Sequence, residues 1–121
     1  MLITKTKDTP QIHLSAEECF FEIKGSTYSE NAGEIFDNVA EWINENVPKI
    51  DCDLNCIFEL DIISSISYKK ILYIFSILYK FYKKGKKITI IWKVSSEDEE
   101  NIDFVEDFKE LFKLPFKVVE K

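Results

Sequence analysis

Three features of this chain predict an α/β fold with a mixed, largely parallel sheet. Short runs of β-branched and aromatic residues alternate with longer runs in which apolar residues recur every three or four positions. Two of the short runs, around Phe58 and around Ile90, carry apolar residues on both faces, as strands do when both sides are covered. Each of the last three strand-like runs is separated from the one before by a helical run, the crossover that parallel pairing needs. The expected order is β-β-α-β-α-β-α-β. It gives about five strands and three helices in one domain spanning residues 1–121, with residues 1–9 polar and loose.

The elements follow in turn. Gln11 to Leu14 and Cys19 to Ile23 read as two short strands joined by Ser15-Ala-Glu-Glu, a hairpin. Gly25-Ser-Thr-Tyr-Ser-Glu-Asn31 forms the next turn, and Asn31 with Glu34 fits a capping box at the head of a helix. That helix is expected to bury Ile35, Val39, Trp42 and Ile43, with Phe36 and Val47 alongside. It ends at Pro48, which cannot continue the hydrogen-bond ladder. Residues 49–56 lead into the central strand. There Phe58, Leu60 and Ile62 point one way, Ile57 and Ile63 the other, with Glu59 and Asp61 between.

The strand breaks into Ser64, Ser65, Ile66 and Ser67. Beyond it Ile71, Ile74, Phe75, Leu78 and Tyr82 recur at helical spacing. Lys83, Lys84 and Gly85 close this helix, with cations in its last turn and then a glycine able to take positive φ. Lys87 to Val94 is a β-branched strand. Ser96 and Glu99 fit a second capping box, and Glu97 to Glu100 place four acids where the helix dipole favours them. Phe104, Phe108, Leu111 and Phe112 are expected to face the core. Phe116 to Val119 closes the sheet after Pro115.

Composition narrows the function. At 45% hydrophobic and 14% aromatic residues, the 121-residue chain can build one core. No apolar run approaches the ~18–20 residues of a membrane span, and the first residues lack the apolar core of a signal peptide. No membrane insertion and a cytoplasmic location are expected. Acids outnumber bases 22 to 16, a net charge of −6, and every base is Lys. The absence of Arg speaks against nucleic-acid readout and against a phosphate clamp. Lys80, Lys83, Lys84, Lys86 and Lys87 read as a solvated helix end. Cys19, Cys52 and Cys56 are odd in number without a secretion signal, so reduced thiols are expected. The Cys52–Cys56 spacing does not suit a zinc knuckle, and His13 is the sole histidine; neither metal nor cofactor is expected. Gly25, Gly33 and Gly85 are isolated and form no phosphate loop. No nucleophile–base pair stands out, so the domain reads as a binding module, not an enzyme. Tyr73 and Tyr79 lie off the main helical stripe and hint at a partner surface.

Three serines therefore sit where a buried strand becomes a buried helix. One reading makes a serine the N-cap, its oxygen accepting a first-turn N–H. The other makes one of them a regulated hydroxyl, since a helix N-terminus tolerates an added phosphate.

Three segments together resemble the SiaC family of bacterial regulatory phosphoproteins. They are Gly25-Ser-Thr-Tyr-Ser-Glu-Asn31 with its Trp42 helix, Phe58-Glu-Leu-Asp-Ile-Ile-Ser-Ser-Ile-Ser-Tyr-Lys69, and the acidic run with Asp107 to Leu111 and Leu114-Pro115-Phe116. Their order covers the chain from about residue 10 onward. The resemblance implies a fold like the anti-sigma-factor antagonists of the STAS class, working by partner switching. It implies a Ser/Thr kinase of the histidine-kinase-like ATPase type and a PP2C-type phosphatase acting on one hydroxyl. It further implies an unmodified form that binds and stimulates a diguanylate cyclase, promoting cyclic-di-GMP signalling and biofilm formation. The family's Asn-Thr-Ser-Ser pattern falls on Ser64, Ser65, Ile66 and Ser67, which places the phosphoacceptor at Ser65, with Ser64 and Ser67 as caps or alternative acceptors. Serine stands for the family's Thr at 65 and its Asn at 64, and Ser29 stands where the family usually has Pro. Tyr28, Glu30, Asn31, Tyr68 and Lys69 are the candidate partner contacts. The competing expectation is a small anion- or nucleotide-binding sensor or enzyme that uses Asp61 and the Ser64–Ser67 turn.

Overall fold

The computed structural model of the chain describes residues 2–3, 11–27, 31–61 and 63–120; the side chains of 2–3 and 31–32 are outside that description. Six strands form one sheet in the order β1-β2-β3-β4-β5-β6: β1 Leu2–Ile3, β2 Gln11–Ser15, β3 Phe20–Gly25, β4 Leu54–Leu60, β5 Ile88–Val94 and β6 Phe116–Glu120. The helices are α1 Asn31–Asn46, α2 Ser65–Lys83 and α3 Glu99–Leu111. The hairpin pairs antiparallel, and β3 through β6 pair parallel, as the crossovers require. Leu2–Ile3, expected within a loose start, instead pairs antiparallel with β2 and supplies the sixth strand.

Strand order follows chain order, and this decides where the helices lie. Each crossover moves one strand further in the same direction, and right-handed crossovers then put every helix on one face. Along β4, Leu54, Cys56, Phe58 and Leu60 are buried while Asn55, Ile57 and Glu59 are half-buried. β5 repeats the alternation, with Ile88, Ile90, Trp92 and Val94 on the covered face. The expectation of a central strand covered on both sides is thus corrected. Ile57 and Ile91 are register partners on the open face and shield each other there. Lys24 and Glu59 pair on the same face at 3.7 Å.

The core is aromatic. Phe58 stacks on Trp92 with ring centroids 5.0 Å apart and meets Phe75 of α2 edge-on at 5.3 Å. Phe75 in turn touches Phe108 of α3 at 4.9 Å, so three layers of side chains meet at one ring. α1 lies beside α2, with Lys70 paired to Asp37 at 2.7 Å and Gly33 against Ile66. Pro48 stops α1 as expected, and the chain continues as a 3-10 turn, Val47–Lys49. Gly85 takes a φ of 104° after α2, the conformation foreseen for it.

Several local expectations shift by part of a helical turn. In α1 Phe36, Val39, Ala40 and Ile43 are buried, as is Val47 in the turn after it, while Ile35 and Trp42 are only half-buried. In α3 the buried stripe is Asn101, Val105 and Phe108, and Leu111, expected in the core, is 59% exposed. The α3 cap is Asp98, not Ser96: its Oδ1 accepts the Asn101 N–H at 3.1 Å. A carboxylate one residue from the helix start adds charge to the same hydrogen bond. Asn31 and Glu34, the expected box, fall in the first turn of α1, but residues 28–30 and the Asn31 side chain lie outside the described residues. So does Ile62.

Asn101 joins three elements. Its Nδ2 donates to the Leu60 carbonyl of β4 and to Asp98 Oδ2, and its Oδ1 accepts Trp92 Nε1–H at 3.2 Å. Replacing it with Ala leaves a buried donor and a buried acceptor unpaired, at about 1–3 kcal/mol each at most. Asn101→Ala is expected to lower the urea midpoint by an amount worth about 2–4 kcal/mol, with an unchanged slope.

The thiols also depart from expectation. Cys19 and Cys52, 33 residues apart, are joined by a disulfide. Phe20 and Asn55 are register partners at the starts of parallel neighbours, which brings the turn before β3 next to the loop before β4. Cys56 is the free thiol, and burial pushes its pKa well up.

Candidate functional site

The site is built where β3 and β4 end on the same edge. Asp61 N–H donates to the Gly25 carbonyl at 3.0 Å, so the two chains leave the sheet together. Ser26 and Thr27 follow one strand and Ser64 the other. Ser64 has an extended backbone, φ −73° and ψ 164°, and is the N-cap of α2. Its Oγ accepts the Ser67 N–H at 3.2 Å, and its carbonyl accepts the Tyr68 N–H at 2.8 Å.

The three hydroxyls are not equivalent. Ser64 Oγ donates to Ser67 Oγ at 3.0 Å, and Ser67 Oγ donates to the Thr27 carbonyl at 3.2 Å. Ser64 N–H is directed to Thr27 Oγ1 at 3.4 Å. Ser67 is 1% exposed and Thr27 is fully buried. Ser64 and Ser67 thus form a closed relay that clamps the head of α2 to the chain leaving β3. Ser65, the first residue of α2, is exposed, and its hydroxyl is engaged by none of the described residues. It is the one serine of the three with an oxygen free to react. The sequence left the capping serine open; the structure assigns it to Ser64.

Beside Ser65 runs an open groove of about 470 Å³, with Ile63, Tyr68, Leu72 and Phe104 as its apolar floor and Lys69 and Glu100 at its rim. Tyr68 packs on Phe104 at 5.2 Å and on Phe108 at 5.3 Å, so it bridges α2 and α3 while half of it still faces the groove. Lys69 is exposed. On the far side of α2's first turn, Ile66 is 56% exposed. Tyr73, at 55% exposed, lies about two turns on, as its place off the stripe suggested, whereas Tyr79 is half-buried against Phe112. Tyr28 and Glu30 lie outside the described residues, and of Asn31 only the helical backbone is described.

Asp61 is exposed and lines a small recess with Asp98, Glu100, Asn101 and Phe104. Three carboxylates around one recess repel an anion, which counts against the phosphate-sensor reading. Among the described residues no group of three or more His, Cys, Asp or Glu is placed to hold a metal ion, and no helix is long and apolar enough to cross a membrane.

Thr27 and Asn101 are the two residues here that pattern reading passed over. Thr27 sits inside a segment whose resemblance was noted, but its role depends on contacts 37 to 40 residues away. Asn101 carries no signal beyond its place at the turn of a helix.

The sequence model of the SiaC family, described as regulatory phosphoproteins, matches residues 3–121. A protein of Pseudomonas aeruginosa strain UCBPP-PA14 is 23% identical over 116 residues, 96% of this chain and 92% of its own length. Among solved structures, one from the complex of the P. aeruginosa diguanylate cyclase SiaD with its activator SiaC superposes with a TM-score of 0.93. It has 22% identity and covers 100% of this chain and 99% of that one. Apo-SiaC of the same organism superposes at 0.88, with 23% identity over 98% of this chain and 97% of its own.

Proposed function

The chain belongs to the SiaC family of regulatory phosphoproteins, and from that premise we propose that it is a non-enzymatic partner-switching protein whose switch is Ser65. A Ser/Thr kinase phosphorylates Ser65 and a PP2C-type phosphatase reverses it. The unmodified form binds and stimulates an output protein such as a diguanylate cyclase, in the cytoplasm. The observation that carries this reading is the free, exposed hydroxyl of Ser65 at the first position of α2, beside an apolar groove, while Ser64 and Ser67 are tied to Thr27.

The physical consequences agree. Phosphate adds about −1.5 to −2 charges at pH 7, and a helix N-terminus accommodates them without unfolding. Across the groove stands Glu100, and the cation at the rim is Lys69. The added charge therefore alters the surface a partner meets more than the fold beneath it. Tyr68 and Lys69, on that surface, are the described partner contacts of the proposal, with Tyr28, Glu30 and Asn31 as its remaining members.

The test is a reconstitution with the kinase and cyclase encoded in the same genome. One phosphate is expected, mapped to Ser65 by mass spectrometry. The unmodified chain should raise the cyclase rate and the phosphorylated chain should not. Equal stimulation by both forms, or no phosphate on any serine, would refute the proposal.

A further inference from the structure

The end of the sheet away from Ser65 holds two sulfurs that partner switching does not use. Cys19 ends the turn before β3, and Cys52 lies in the loop that leads into β4. Their Cα atoms are 6.2 Å apart, within the span of a disulfide. The two differ in access. Cys19 is 7% exposed, holds a φ of 59°, and its carbonyl accepts the Asn55 N–H at 2.9 Å. Cys52 is exposed between exposed Asp51 and Asp53, in a stretch with neither helix nor strand, and it borders an open cleft with Lys86 and Lys87. Cys19 is a buried residue held at the end of its turn, and Cys52 is an exposed residue of a loop.

We infer that Cys19–Cys52 is a reversible thiol–disulfide site, opened by small-molecule thiols of the glutathione class through attack at Cys52. The attacking thiolate bonds to Cys52 Sγ as the bond between the two cysteines breaks, and Cys19 leaves as a thiolate. A second glutathione thiolate then attacks the sulfur of the bound glutathione, and Cys52 leaves as a thiolate. The protein disulfide gains two electrons and two protons to become two thiols, and two glutathione molecules become one glutathione disulfide. The buried Cys56 takes no part, because a shielded thiol does not ionise or meet the reagent. The inference does not depend on Ser65, which lies at the other end of strands of six and seven residues, on the order of 20 Å away.

The test uses the full chain purified without reductant. Thiol titration should read none in the native protein and one, Cys56, in denaturant. Excess reduced glutathione should raise the denatured count to three, through an intermediate carrying one glutathione on Cys52, and should lower the melting temperature by more than about 5 °C. Excess oxidised glutathione should restore both. Exposed to oxidised glutathione, Cys19→Ser should take one glutathione on Cys52, releasing one reduced glutathione, and Cys52→Ser none, each variant checked by circular dichroism. Three outcomes would overturn the inference. The first is a bond that resists glutathione until the chain unfolds, which makes it a permanent staple. The second is a pair that excess oxidised glutathione never closes. The third is a Cys52→Ser variant that takes the adduct as readily as Cys19→Ser does. The first two are read on the unaltered chain, so a variant that fails to fold leaves the test intact.

Discussion

Ser65→Ala abolishes phosphate incorporation, whereas Ser64→Ala and Ser67→Ala, where they stay folded, retain it. This is the expected result of incubating each variant with the cognate kinase and mapping the product by mass. The reason is geometric. A kinase must bring a hydroxyl oxygen in line with the γ-phosphate of ATP. Ser67 Oγ lies in the protein interior, donating to Thr27 O, and Ser64 Oγ is shared between Ser67 N–H and Ser67 Oγ. Only Ser65 offers its oxygen without breaking the cap of α2.

A paired experiment reads the output. Ser65→Asp is expected to bind the output partner at least tenfold more weakly than Ser65→Ala, a difference of about 1.4 kcal/mol. Both should show the same helix content, because a negative charge at N1 suits the dipole. The aspartate carries one charge where phosphate carries about two, so true phosphorylation should weaken binding further. Titration calorimetry with the purified partner measures this. Equal affinities for the two variants would remove Ser65 from the interface.

Phe75→Ala is expected to be the most damaging single truncation of the core. Phe75 is fully buried and contacts Phe58, Trp92, Phe108, Phe112 and Phe116, rings from the sheet, from α3 and from the chain that follows it. Parts from three directions cannot all relax into the space it leaves, so a cavity term adds to the lost transfer energy, about 3–5 kcal/mol in total. A domain of this size has only about 5–15 kcal/mol of stability. The melting temperature should fall by on the order of 15 °C. Tyr73→Ala, on the exposed face of the same helix, should change stability by less than about 0.5 kcal/mol. Calorimetric melting of both variants decides it; a Phe75→Ala loss no larger than that of Tyr73→Ala would contradict this account of the core.

Much of this architecture was legible in the chain, because its signals are local. The 3.6-residue recurrence of Ile71, Ile74, Phe75 and Leu78 placed α2 to within a residue of its end, and Gly85 took the conformation its position required. Alternating helical and strand-like runs gave parallel pairing from β3 onward. Periodicity identified a helix more reliably than its phase. Aromatic residues drew the expected α3 stripe toward Leu111, while the fold buried Asn101 and Val105. A hydrogen-bonded Asn can go inward only when its partners are known, and those partners are on other elements.

What the sequence determined by itself, then, is whatever depends on neighbours a few residues apart: element types, their order, the helix starts to within a turn, and the placing of three serines at a strand-to-helix junction. The tertiary structure alone decided which faces are covered, which serine is free and which cysteines meet. The sheet is open on one side because successive crossovers step in one direction. Ser67 is withdrawn because Thr27, 40 residues earlier, supplies the carbonyl it bonds. Cys19 and Cys52 join because parallel neighbours begin side by side. Each of these depends on contacts between residues far apart in the chain, and only packing brings such residues within reach.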